Sequence, residues 1–158
     1  AQELRADLEA FMASHVLPAE PVYAEQRARL AEQGRGHDLP PVVEDLKHVA
    51  RSRGLWNLFL PSESGLSVLD YAGLAEVTGR SPELAPEALN CSAPDTGNME
   101  VLHLFGTPEQ QQRWLTPLLA GEIRSGFAPS GSLCTQDAQA RRRRGITEGS
   151  ACSTASFG

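Results

Sequence analysis

From Leu4 to Ala120 the large apolar residues recur at helical spacing, and prolines and glycines cut that pattern into short lengths. Leu4, Leu8, Phe11, Met12 and His15 fall at i, i+4, i+7, i+8 and i+11, which is one stripe of a helix. Period-two alternation, the mark of a half-buried strand, is almost absent. A chain patterned this way has helices to pack and little with which to build a sheet. An all-α fold of about six helices is predicted.

Punctuation places the elements. A first helix is predicted over 2–16. Pro18 and Pro21 should interrupt it, because proline lacks the amide donor and clashes with the preceding turn. A second helix is predicted over 21–33, ended by Gly34-Arg35-Gly36. Pro40-Pro41 should open a third, running to about Arg53, with Val42, Leu46, Val49 and Ala50 buried and Gly54 as a left-handed cap. Leu55–Leu60 reads as a short extended run closed by Pro61–Gly65. Ser67 with Asp70 makes a capping box for a helix over 68–79, whose apolar positions are Leu69, Ala72, Ala75 and Val77.

Residues 81–94 contain three prolines and read as a short helical piece followed by a loop. A helix over 97–105, capped by Asp95 or Thr96, should stop at Gly106. Thr107, Pro108 and Gln110 then form the strongest start signal in the chain. The helix they open should reach Ala120, with Trp114, Leu115, Leu118 and Leu119 inward and a kink at Pro117. Residues 123–128 are placed as the start of a strand.

At Pro129 the pattern stops. Of the last 30 residues, 16 are Ser, Gly, Ala or Thr, and only Leu133, Ile146 and Phe157 are large and apolar. That segment cannot bury enough surface to offset its ordering entropy, so 129–158 is expected to be mostly disordered. Charge divides at the same point: residues 1–128 carry −8 and residues 129–158 carry +2. The expected organisation is one helical domain over 1–128 and a tail.

The net charge of −6 argues against general affinity for nucleic acid or anionic membranes. No apolar run approaches the length of a membrane span. Cys91, Cys134 and Cys152 form no CxxC pair and cannot all pair with each other, so no disulfide framework is expected and a reducing compartment is the default. His15, His37, His48 and His103 share no metal-ligand spacing, and His15 and His103 read as core or rim groups on helix faces. No G-x-S-x-G elbow is present, and no catalytic residue is assigned. Glu44-Asp45 reads as solvated surface. Arg141–Arg144 is the one basic run. It lacks interleaved aromatics and reads as incidental. The chain starts at Ala1 without Met and is expected to be a fragment or a processed product.

The stretch Gly106-Thr107-Pro108-Glu109-Gln110-Gln111-Gln112-Arg113-Trp114-Leu115-Thr116-Pro117-Leu118-Leu119-Ala120-Gly121 resembles a G-[ST]-x-x-Q-x-x-[RK]-[WY]-L-x-x-L-x-x-G pattern. That pattern is found in the flavin-dependent acyl-CoA dehydrogenases, at the end of their N-terminal helical domain. Gly54–Pro61, Gly65–Tyr71 and Ala93–Glu100 follow the same family order. They are most similar to the subgroup of members ten and eleven, in which a kinase-like domain precedes the dehydrogenase domains. The resemblance covers about residues 1–128.

The resemblance implies an FAD enzyme that oxidises the Cα–Cβ bond of an acyl-CoA, with long chains expected, to a trans-2-enoyl-CoA. It implies a glutamate base, hydride transfer to the flavin, and electron-transferring flavoprotein as partner. It implies a mitochondrial or peroxisomal location. It places Asn90, Ala93 and Gly97 at the floor of an acyl pocket, and Phe127 and Ala128 at the start of a flavin-contacting strand.

The sequence departs from the family after Phe127-Ala128. Family members continue with Met-Thr-Glu-Pro and a Ser/Gly-rich run. Here Pro129-Ser130-Gly131-Ser132-Leu133-Cys134 follows, and Thr-Glu-Pro occurs nowhere. A shifted frame, a retained intron or alternative splicing is expected to have supplied the tail. The implied consequence is a chain inactive alone and binding no flavin by itself. The other expected role is a helical interaction module that associates with itself or with the full-length enzyme.

Overall fold

The computed structural model describes residues 2–127. Ala128, the expected tail, its two cysteines and its arginine run lie outside the described residues. All regular structure among the described residues is helical. They fall into two compact units, one reaching Glu100 and one beginning at Val101, and each is taken in turn.

In the first unit α1 (Gln2–Phe11) continues through a π-helical turn (Met12–Val16) into α2 (Leu17–Glu32). The expected break at Pro18 and Pro21 is therefore a correction. The Leu17 amide donates to the carbonyl of Met12, five residues back. That wider turn lies immediately before Pro18. It supplies the extra residue that lets a proline ring follow without striking the carbonyl four positions earlier. Leu8, Phe11, Met12 and Val16 are fully buried, so the expected stripe holds. Leu4 and His15 lie half-buried at its edge.

The Arg35 guanidinium pairs with Asp38 in the loop that leads to α3 (Pro41–Ser52). Its buried face is Val43, Leu46, Lys47 and Ala50, one residue round from the expected stripe, and Val42 and Val49 are half-buried. Gly54 has φ 69°, the left-handed cap the sequence called for. Leu55–Leu60 is not extended. It is a series of turns with Leu55, Asn57, Leu58, Phe59 and Leu60 all buried. The short α4 (Pro61–Ser64) ends at Gly65 with φ 70°.

The helix α5 (Val68–Thr78) opens on the expected box: the Asp70 amide donates to Ser67 Oγ and the Ser67 amide donates to Asp70 Oδ2. Its buried residues are Leu74, Val77 and Thr78. Leu69 is 85 % exposed and Ala72 is exposed, against expectation. Apolar residues surround this helix on nearly all sides, so sequence alone could not choose the buried face. After α6 (Ala85–Ala88), α7 (Asp95–Phe105) begins at Asp95, two residues earlier than expected. The core of this unit runs from Leu8 through Val43, Leu46 and Leu55 to Leu84, Ala88 and Leu89.

In the second unit α8 (Pro108–Gln110) passes through a π-helical turn (Gln111–Leu115) into α9 (Thr116–Leu119). The wide turn again lies directly before a proline, Pro117, and the Thr116 amide donates to Gln111 five residues back. The proline thus widens the helix instead of stopping it. Leu115 and Leu118 are buried, while Trp114 and Leu119 are half-buried. Residues 123–127 form no strand. A strand requires a partner ladder, and none exists among the described residues.

Candidate functional site

The segment from Leu89 to Gly97 holds the three expected pocket residues, and the structure separates them. Asn90 is 8 % exposed, whereas Ala93 and Gly97 lie on the surface. Asn90 takes a left-handed backbone with φ 55°. Its Nδ2 donates to Oδ1 of Asn57 at 2.7 Å, and the Asn57 amide donates to the Leu89 carbonyl at 3.3 Å. Asn57 was missed as a candidate. The signal was an amide side chain inside the apolar run Leu55–Leu60. A Cβ added at Gly97 would meet nothing within 4 Å. Ala93 and Gly97 therefore present small side chains to open space, and Asn90 faces inward.

Next to Asn90, the Cys91 thiol is pushed up to about 11 by burial. The Tyr71 hydroxyl donates to its sulfur, and burial pushes the phenol up as well. Both groups stay protonated at neutral pH. A thiol held in that form is a poor nucleophile. It acts as a small packing group with one polar partner.

In the second unit the expected capping box is present. The Gln110 amide donates to Thr107 Oγ1 at 3.3 Å, and the Thr107 amide donates to Gln110 Oε1 at 2.8 Å. Gln111, not singled out from the sequence, donates from Nε2 to the carbonyls of Leu102 and His103 at 3.1 Å and of Gly106 at 3.3 Å. One amide thus bonds three carbonyls where α7 ends, of which that of Leu102 also accepts from the Gly106 amide. A Cβ at Gly106 would lie 2.4 Å from the Leu102 carbonyl oxygen, so only glycine fits there.

Among the remaining candidates, His15 stacks on Phe11 with ring centroids 5.5 Å apart. Ser14 Oγ lies 2.6 Å from His15 Nδ1 and donates to the Ala10 carbonyl at 2.6 Å. That leaves His15 a rim group, as expected. His103 is exposed, which corrects its placement among core or rim residues. The Lys47 side chain is only 5 % exposed, and its ammonium donates to Glu44 at 2.7 Å. No group of three or more His, Cys, Asp and Glu among the described residues is placed to hold a metal ion. No described helix is long and apolar enough to cross a membrane.

Phe127 is 72 % exposed, and Ala128 lies outside the described residues. The backbone before Phe127 forms no strand, and the Thr-Glu-Pro run expected from the resemblance is missing from the sequence. The residues present at this end do not by themselves fit a flavin.

Comparison with known proteins decides the family. Residues 1–122 match the model for the acyl-CoA dehydrogenase N-terminal domain. The chain belongs to the acyl-CoA dehydrogenase family. FadE2 of Mycobacterium tuberculosis, named as a probable acyl-CoA dehydrogenase, is 56 % identical over 126 residues, which is 80 % of this chain and 30 % of that protein. Acyl-CoA dehydrogenase family member 11 of Gallus gallus is 54 % identical over 126 residues, or 16 % of its length. A structure from Mycobacterium abscessus, described as that of a putative acyl-CoA dehydrogenase, superposes with a TM-score of 0.73 at 40 % identity, covering 88 % of this chain and 36 % of that one. The chain therefore spans about a third or less of the relatives it matches. The resemblance read from Gly106–Gly121 and the three upstream stretches is thus established at the level of the family.

Proposed function

We infer that residues 1–128 serve as the helical N-terminal domain of an FAD-dependent acyl-CoA dehydrogenase. Its reaction is the α,β-dehydrogenation of an acyl-CoA to a trans-2-enoyl-CoA. The observation that carries this reading is the match of residues 1–122 to the N-terminal domain of a family that acts on acyl-CoA, and the acyl chain is taken to run past Asn90, Ala93 and Gly97. Small side chains leave room for an extended hydrocarbon, so the substrate is a long-chain acyl-CoA. Flavin, a catalytic base and electron-transferring flavoprotein belong to the whole enzyme, and its location is the mitochondrion or the peroxisome. The chain alone, without a Thr-Glu-Pro run, does not turn over.

A chimaera tests this. The matched region of FadE2 is replaced by residues 1–127 of this chain, and acyl-CoA-dependent reduction of an electron acceptor is followed. Retained flavin and retained turnover are expected. A chimaera that folds and binds flavin but ignores acyl-CoA would count against the pocket. The isolated chain should show no visible flavin absorption.

A second reading, a helical interaction module, is favoured by bare apolar side chains. Val68 and Leu69 of α5 are 72 % and 85 % exposed. On α7, Val101, Leu104 and Phe105 form an i, i+3, i+4 row at 57 %, 67 % and 79 %. Rows of that kind mark interaction surfaces. Retention on immobilised full-length enzyme at micromolar concentration supports this reading, and no retention opposes it.

A further inference from the structure

Within the first unit, the loop from Gly36 to Pro40 closes a cleft of about 160 Å³ with Tyr23 and Arg27 of α2 and Glu87 of α6. At the roughly 30 Å³ that a water occupies in the liquid, this is room for about five non-hydrogen atoms. Tyr23 is only 8 % exposed. Its hydroxyl oxygen accepts from Arg27 Nη1 at 3.1 Å, while the hydroxyl proton meets no acceptor among the described residues. A polar hydrogen on a nearly buried side chain ordinarily has an acceptor, because leaving it unmet is costly. Arg27 has five N–H donors and makes one hydrogen bond, with Glu83 at 3.6 Å as its ion-pair partner. The cleft therefore holds more donors than it uses.

Its carboxylates are engaged elsewhere in part. Asp38 pairs with Arg35 at 2.7 Å, and Glu87 Oε1 accepts from Ser92 Oγ at 2.7 Å. A carboxylate has about four acceptor positions, so Glu87 can take a further N–H. Arg27 and Arg35, set against Asp38, Glu83 and Glu87, leave one net negative charge around the cleft. An anion is opposed by that charge, and a cation leaves the Tyr23 proton unmet. An uncharged group that accepts at one end and donates at the other satisfies both sides. We propose that this cleft binds a small primary carboxamide, its oxygen accepting from Tyr23 and Arg27 and its nitrogen donating to Glu87. Pro40, fully buried, gives the carbon end an apolar wall. The site does not depend on the acyl-CoA reading.

The test titrates the full 158-residue chain with propionamide, propionate and propylammonium, read by the backbone amide NMR shifts of residues 36–39. Propionamide should give saturable shifts there, with the two charged probes at least tenfold weaker. Tyr23→Phe keeps the ring and removes the hydroxyl, and should weaken propionamide about fivefold, the loss of one hydrogen bond. Arg27→Gln, at a side chain 56 % exposed, should weaken it likewise without loosening the core. No saturable shift with propionamide overturns the site. Propionate or propylammonium binding as tightly overturns the carboxamide assignment. Wild-type affinity in Tyr23→Phe overturns the role of its hydroxyl. If Tyr23→Phe unfolds, Arg27→Gln carries the comparison, and wild-type affinity in that variant overturns the proposal.

Discussion

The side-chain amide of Gln111 donates to the carbonyl of Leu102 at 3.1 Å, closing the end of α7 from nine residues downstream. Its further bonds to His103 and Gly106 make this amide a cap built from a neighbouring turn. Gln111→Ala should cost about 1–2 kcal/mol, the usual range for losing a cap. Gly106→Ala should cost about 1–3 kcal/mol through overpacking, since its Cβ would meet backbone that cannot give way. Urea midpoints at unchanged slope check both. A Gln111→Ala midpoint equal to wild type would show the cap to be idle.

The half-buried Cys91 makes stability depend on alkaline pH. Its folded value of about 11 lies above the ordinary 9.0. The folded chain therefore holds its proton longer than the unfolded one, and the contribution is present in full below pH 9. It is lost as pH rises toward 11, by roughly 3 kcal/mol at most. Tyr71, also raised by burial, has the same sign. Cys91→Ala should flatten the decline. Measuring unfolding free energy from pH 8 to 11 in both proteins decides it.

Lys47 is a cation held in the core by one surface carboxylate: its side chain is 5 % exposed and that of Glu44 is 64 % exposed. A buried pair of this kind offsets its desolvation poorly. Lys47→Met keeps the volume and should be neutral or stabilising by about 1–4 kcal/mol. Glu44→Gln leaves the ammonium buried without a counter-charge and should cost about 1–3 kcal/mol. The thermal midpoint should fall for Glu44→Gln and should hold or rise for Lys47→Met.

At the start of α5, hydrogen bonds from Ser67 hold the Asp70 carboxyl below its ordinary value. Ser67→Ala should return that carboxyl upward toward the usual range and cost about 1 kcal/mol of stability. With Ser67 present, the contribution is lost as pH falls through the Asp70 transition. Titration of the Asp70 carboxyl by NMR in both chains reports the shift directly.

The capping boxes at Ser67 and Thr107 were legible because a box is a matter of three-residue spacing and short side chains, fixed by covalent geometry. Gly54 was legible for the same local reason. The face of α5 was not, since Leu69 and Leu74 are equally apolar and only the tertiary partner chooses between them. The turn at Asn57 was hidden inside a hydrophobic run that reads as extended. At the candidate site, the resemblance named Asn90, Ala93 and Gly97 together. It did not show that Asn90 turns inward to Asn57 while Ala93 and Gly97 turn out, because that depends on a contact between distant turns.

Each wide turn before a proline has a consequence for counting along the helix. Counted at about 100° per residue, Tyr23 falls within about 20° of Met12 and Val16, and all three are buried. The core-facing side is thus kept from one side of the wide turn to the other, and the chain from Gln2 to Glu32 takes in Pro18 and Pro21 without giving up its buried stripe.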